Sequence, residues 1–299
     1  MILSVSRRTD IPCFYMDWLM NRIRSGFADV RNPMNPHQIS RVTIAPDTVD
    51  AMVFWSKNPV GLLRVWDQIP FHFYVQMTLT AYGREVEPHL PDWRERVDCF
   101  RSLAEKLGPG CMVWRYDPIF FNSVYTPEVH IRTFSELADC LRGFTDEVVI
   151  SFLDWYPKMK KRMQPLEVEE PSEQMQLALA EQLAQIAREH DMRITACAET
   201  LDLRPVGVQP GSCIDANRLE RLLGKPLHLK KDTNQRAACG CVKSVDIGAY
   251  NTCSLGCRYC YANGSESLIA RCVAQYDPHS SLLCGSLALD DRVTLRDKE

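Results

Sequence analysis

The sequence contains no apolar run approaching the roughly 18 residues of a membrane-spanning helix; its longest apolar runs are about the length of a strand. It has no Gly-x-Gly-x-x-Gly turn and no Walker phosphate loop, so dinucleotide and nucleoside triphosphate chemistry have no motif to rest on. A Gly-x-Ser-x-Gly nucleophile elbow is also missing. The 7 histidines are scattered, with no H-E-x-x-H pairing that would suggest a histidine-held zinc. Net charge is nearly absent, at −3, which excludes a global attraction for nucleic acid. No internal repeat or low-complexity stretch stands out. The basic pair Arg7 and Arg8 follows a short apolar start, the reverse of a signal peptide, so a cytoplasmic protein without membrane association is expected.

Cysteine is what the chain has in excess, with 13 in 299 residues. Without an export signal these read as free, metal-bound or catalytic thiols rather than a disulfide framework. Three of them, Cys253, Cys257 and Cys260, form C-x3-C-x2-C with a tyrosine on each side of the last. Three thiolates on one loop can hold three corners of a 4Fe–4S cube, leaving one iron open for a ligand, whereas a fourth would complete an electron-transfer site. Zinc is the competing reading. It needs four ligands, and Cys239 and Cys241 lie close enough in sequence to complete a set.

Four further cysteines, Cys197, Cys213, Cys239 and Cys241, fall between residues 197 and 241. They are candidates for an auxiliary iron–sulfur cluster or a structural zinc. The remaining six sit in apolar or helical contexts and read as small core residues.

Apolar runs at Ile2–Val5, Met52–Trp55, Phe71–Leu79, Met112–Trp114, Val148–Phe152, Ile194–Ala196 and Val245–Ile247 read as strands, with a further short strand at Val42–Ala45. Helical patterns fall between several of them. The expected N-caps are Asp92, Thr126 (with Pro127 following), Ser172 and Asp215, and the expected stops are Gly108, Gly143 and Gly224. Such alternation implies an α/β fold with a parallel sheet, a full or partial (β/α) barrel. Polar residues follow the strand ends, where barrels collect their active sites. Arg7, Arg8, Asp10, Lys57, Arg115 and Asp117 are therefore catalytic candidates, and Thr78 and Ser151 candidate cofactor contacts. Guanidinium groups here suit a carboxylate or phosphate. The basic run Lys158–Arg162 reads as a solvated face.

The C-x3-C-x2-C motif with its aromatic before the third cysteine resembles the signature of radical S-adenosylmethionine (SAM) enzymes. The Tyr-Cys-Tyr ending is similar to the spore photoproduct lyase branch. The whole chain resembles a bacterial family catalogued as domain of unknown function 1848. The resemblance rests on Ser6-Arg-Arg-Thr-Asp-Ile-Pro12, Phe54-Trp-Ser-Lys-Asn-Pro59, Trp114-Arg-Tyr-Asp-Pro118, Cys197-Ala-Glu199, Lys231-Asp-Thr-Asn-Gln-Arg236 and Asp246-Ile-Gly-Ala-Tyr-Asn-Thr-Cys253.

The radical SAM likeness implies a 4Fe–4S cluster on Cys253, Cys257 and Cys260 that cleaves SAM reductively to a 5′-deoxyadenosyl radical. It also implies Tyr259 near adenine, Asn263 lining the SAM site, and an electron donor such as flavodoxin or ferredoxin. The substrate would be a small molecule or derived from nucleic acid. Because the cluster loop follows the last strand rather than the first, the likeness implies a circularly permuted barrel over residues 1–264 and a C-terminal extension over 265–299. The alternative is a zinc-stabilised nucleic-acid-binding or structural module without radical chemistry.

Overall fold

The computed structural model describes residues 1–296. Its elements, in order, are β1 (Ile2–Val5), α1 (Ile11–Phe14), α2 (Met16–Ser25), β2 (Phe27–Asn32), β3 (Asn35–Thr43), β4 (Ala51–Ser56) and α3 (Val60–Val65). β5 (Phe73–Thr78), α4 (Trp93–Leu107), β6 (Met112–Ile119), α5 (Pro127–Leu141), β7 (Glu147–Phe152), α6 (Lys160–Met163) and α7 (Glu173–Glu189) follow. The chain continues through β8 (Arg193–Cys197), β9 (Gln209–Gly211), α8 (Ala216–Leu223), β10 (Val245–Asp246), α9 (Glu266–Val273) and β11 (Arg292–Arg296).

Eight strands form one parallel sheet in the order β10-β1-β4-β5-β6-β7-β8-β9. β9 and β10 are its two edges, so the sheet is open, an arrangement compatible with a partial barrel and not with a closed one. Continuous apolar strands suit a sheet covered on both faces, and alternate side chains divide between them. Leu3, Phe54, Val75, Trp114 and Ile150 pack against the helices together with Trp18, Phe100, Phe134 and Leu183. Ile2, Val53, Tyr74, Val113 and Val149 face the other way, against Cys213, Ile214, Leu219, Cys239, Cys241 and Val242. The inner face of the sheet is thus filled by the chain between β9 and β10.

The helix starts follow from their caps. Asp92 accepts from Arg94 N (2.9 Å), Ser172 from Met175 N (3.2 Å) and Asp215 from Asn217 N (2.7 Å), while Thr126 caps Val129 N ahead of Pro127. Gly108 and Gly224 stand at the ends of α4 and α8, and Gly143 lies one residue beyond the C-cap of α5.

The strand expected at Val42–Ala45 is the end of a longer one, β3, and does not belong to the barrel. β3 pairs antiparallel with β2 and parallel with β11 in a separate three-stranded sheet. The C-terminal extension therefore contributes a strand as well as the helix α9. It docks on α2 through Trp18 Nε1 to Ser280 O (3.0 Å), Arg22 to His279 O (3.0 Å) and Asn21 to Pro278 O (2.9 Å). Residues 297–299 of that extension lie outside the described residues. Among the described residues, no helix is long and apolar enough to cross a membrane.

His130 on α5 is fully buried, contacting the Tyr116 hydroxyl (2.9 Å) and the Phe120 carbonyl (2.9 Å). Burial depresses its pKa from 6.5 to about 4, against the opposing pull of the Phe120 carbonyl. Between those values the unfolded chain binds a proton that the folded chain refuses. Stability from this site should therefore fall as pH drops from 6.5 towards 4, at up to ~1.4 kcal/mol per pH unit. Denaturant titrations at pH 7 and pH 4.5 should show His130→Gln losing less stability on acidification than the wild type; equal losses would refute this account.

Candidate functional site

β10 is only two residues long, and a carboxylate holds its end in place. Asp246 accepts from Ser4 Oγ (2.7 Å), Ser6 Oγ (2.5 Å), Arg7 N (2.8 Å) and Gly248 N (3.0 Å). A Cβ on Gly248 would lie 2.6 Å from Ser6 Cβ, so only glycine permits this approach to the end of β1. The following loop therefore starts at the C-terminal ends of the parallel strands. It closes on itself through Asn251 N to Ala262 O (3.1 Å), Gly264 N to Asn251 Oδ1 (2.6 Å) and Asn263 Nδ2 to Cys253 O (2.8 Å). Arg162 on α6 ties it down, donating to Asn263 O (3.1 Å) and to Cys260 O. Gly256 adopts φ +72°, and a Cβ there would meet His89 Cδ2 at 2.9 Å.

On this frame Cys257 is buried and Cys253 and Cys260 are half-buried, all three as free thiols. Burial pushes the Cys253 and Cys257 thiols well above their ordinary range, although the backbone N–H groups of Leu255 and Asp10 reach the Cys253 sulfur and oppose it. Thiols in that state ionise when a bound cation compensates the charge. Among the described residues, the one set of three His, Cys, Asp or Glu ligand atoms within 4.8 Å of one another is His37, Asp290 and Asp291. At least one separation among the three loop sulfurs therefore exceeds the ~3.8 Å implied by tetrahedral zinc at ~2.3 Å from each sulfur. Cys13 packs in the same apolar cluster, but its sulfur bonds to Asn58 and faces Cys99.

Beneath the loop lies a charge hub that no sequence motif announces. Glu87 is buried and pairs with Lys57 Nζ (2.8 Å) and Arg96 Nη1 (3.8 Å), and takes hydrogen bonds from Thr80 (3.3 Å) and the Tyr259 hydroxyl. Burial alone would raise the Glu87 pKa, but Lys57 and Arg96 outweigh it and hold the carboxyl below its ordinary range. Lys57 also stands 5.1 Å over the Tyr259 ring. Lys57 and Tyr259 thus support the loop from below. Asp10 does similar work, accepting from Cys13 N (3.0 Å), Ser56 Oγ (2.7 Å) and Lys57 N (2.8 Å), while burial pushes its pKa up to about 6.

The other candidates cluster at the mouth. Arg115 bonds Asp117 Oδ2 (3.1 Å), Gln76 Oε1 (2.8 Å) and Cys213 Sγ (3.2 Å). Thr78 is its register partner on β5. Arg7 stacks on Trp55 at 5.6 Å, Arg8 stands over Tyr250 at 5.2 Å, and Ser151 donates to Glu199 (2.9 Å). Tyr261, not singled out in the sequence, is 41% exposed here, with its hydroxyl on Arg7 O (2.9 Å) and its ring 5.4 Å from Tyr156. The flanking Tyr-Cys-Tyr pattern was the one signal that could have marked it. A cleft of about 720 Å³ lies behind the loop, between Gly248 to Tyr250 and Cys272 and Cys284 of the extension.

The four auxiliary cysteines also converge. Cys197 ends β8, Cys213 follows β9, and their sulfurs are 3.0 Å apart. Cys241 bonds both Cys213 and Cys239 through sulfur, and Ile214 N reaches the Cys241 sulfur at 3.4 Å.

The family model described as a domain of unknown function (DUF1848) matches residues 2–262. The chain belongs to this family. The match takes in the large sheet, the auxiliary cysteines and the cysteine loop, and stops just before the C-terminal extension, which is described over residues 265–296. No curated protein and no solved structure matches the chain.

Proposed function

We propose that this DUF1848 protein is a radical SAM enzyme whose loop cysteines, Cys253, Cys257 and Cys260, hold a 4Fe–4S cluster with one open iron. The observation that carries this reading is a set of exactly three free thiols on one closed loop at the C-terminal ends of parallel strands, with Cys13, the other cysteine of that cluster, turned to Asn58 and Cys99. The donor set fits the group: three soft sulfur ligands, one short of a structural zinc's four, with N–H donors aimed at Cys253. Strand order supports a permuted barrel, since the strand bearing the loop stands beside β1 and the rest follow in sequence order.

When bound, such a cluster supplies the electron that splits the sulfonium of SAM. The chain's own residues do the rest. Arg7, Arg8 and Arg115 offer guanidinium groups to a carboxylate. Thr78, Ser151 and Glu199 offer hydroxyl and carboxylate partners to ribose, and the Tyr261 and Tyr156 rings offer apolar faces. Asn263 keeps the loop closed. A flavodoxin or ferredoxin would deliver the electron, and thirteen unpaired thiols suit a reducing cytoplasm.

The test is to purify the protein without oxygen, reconstitute it with iron and sulfide, add SAM and dithionite, and measure 5′-deoxyadenosine. Steady formation of that product is expected. A protein that takes up zinc but no iron, or an iron-loaded protein that yields no product, would overturn the proposal.

A further inference from the structure

We propose that Cys197, Cys213, Cys239 and Cys241 form a second metal centre, a four-thiolate site on the inner face of the sheet, separate from the cysteine loop. The four residues come from three stretches of chain far apart in sequence: the end of β8, the turn after β9, and the loop before β10. Their sulfurs nonetheless run in one continuous series, Cys197 to Cys213 to Cys241 to Cys239, with the first pair 3.0 Å apart and no disulfide among them. Three of the four are buried. Neighbouring sulfurs in this series touch, while no three of the four lie within 4.8 Å of one another, so a bound metal would draw the ends of the series together; four soft sulfur donors select zinc or an iron–sulfur cluster among biological metals.

Charge points the same way. A divalent ion or an oxidised 4Fe–4S cluster with four thiolates carries about two negative charges. Two guanidinium groups face this site, Arg115 at 3.2 Å from the Cys213 sulfur and Arg7 close enough to act on both Cys213 and Cys241. Asp117 pairs with Arg115 and Asp246 acts on Arg7, yet both guanidinium groups also bear on the sulfurs. Beside a dianionic centre they compensate it.

The surrounding fold needs such a staple. Residues 212–244 fill the inner face of the sheet, yet their regular structure is limited to α8. They are held to the strands by bonds such as Tyr74 Oη to Cys213 O (2.6 Å) and Arg218 Nη2 to Glu147 Oε2 (2.6 Å). A metal linking β8 to this plug would fix it below the mouth. The two cysteine sets share one neighbour. Arg7 bears on Cys213 and Cys241 through its guanidinium, while its carbonyl accepts from Tyr261 of the cysteine loop.

The experiment removes the first centre. Cys253→Ser, Cys257→Ser and Cys260→Ser are combined, the protein is purified without oxygen, and iron, sulfide and zinc are counted by mass spectrometry. The triple variant should retain about one zinc, or about four irons with broad visible absorbance, per chain. Adding Cys239→Ser and Cys241→Ser should remove that metal. A triple variant free of both metals overturns the proposal whatever the wild type does with SAM. Should the variants not fold, wild-type protein is alkylated with iodoacetamide before and after chelation. Protection of Cys197, Cys213, Cys239 and Cys241 that chelator abolishes supports the site; equal labelling overturns it.

Discussion

Cys257→Ala, prepared and reconstituted like the wild type, should form no 5′-deoxyadenosine above the no-enzyme background and should hold about four fewer iron atoms per chain. Cys257 is the most buried of the three thiols and packs in a cluster with Val86, Leu255 and Tyr259. Its loss leaves two thiolates, too few to hold a cube at the open mouth. The fold should survive, because replacing one buried sulfur by hydrogen removes only a small volume, at a cost of about 1 kcal/mol. Thermal unfolding of the metal-free proteins separates this from general damage: a similar Tm with no product and less iron is the expected pattern. Product formed by the variant at the wild-type rate would end the assignment of Cys257 as a ligand.

Glu87→Gln should cost far more stability than its change in shape suggests. The amide matches the carboxyl in size but leaves Lys57 and Arg96, 15% and 2% exposed, as buried cations without a counter-charge. Breaking one partner out of a buried ionic network costs about 3–5 kcal/mol. In a protein of this size that is a fall in Tm of roughly 5–15 °C. The pH dependence gives an independent check. The Glu87 pKa is lowered on folding from 4.5, so its contribution is complete above 4.5 and disappears as pH falls through the lower folded value. The gap between wild type and Glu87→Gln should be constant from pH 6 to 8 and close below about pH 4.5. The loop should respond too, since Tyr259 loses its acceptor, and cluster loading should drop in parallel. A Tm change within a degree or two would show that the hub does not support the loop.

Much of this was open to view in the sequence, and the reasons are local. The strands of the large sheet are apolar runs because both sheet faces are covered, so each appears without any knowledge of its partners. Asp92, Thr126, Ser172 and Asp215 cap helices with their own side chains, a bond formed within three residues. The three loop cysteines are informative for the same reason: eight residues contain the whole ligand set.

What escaped notice depends on contacts across long stretches of chain. β2, β3 and β11 carry mixed polar residues such as Gln38, Ser40 and Arg41, and β11 pairs with a strand some 250 residues earlier, so no window of sequence shows that sheet. Lys57 and Asp10 read as chemistry at strand ends. Only their partners Glu87, Ser56 and the Cys13 N–H place them as supports of the loop.

The sequence by itself determined the alternating α/β class, the family, and the cysteine triplet, because each rests on residues near one another in the chain. The tertiary structure decided that the parallel sheet is open at β9 and β10, that residues 212–244 fill its inner face, and that four scattered cysteines come together there beside Arg7 and Arg115. Those outcomes are set by which strands neighbour one another and by which buried charges must find partners, and both are properties of the folded chain in space.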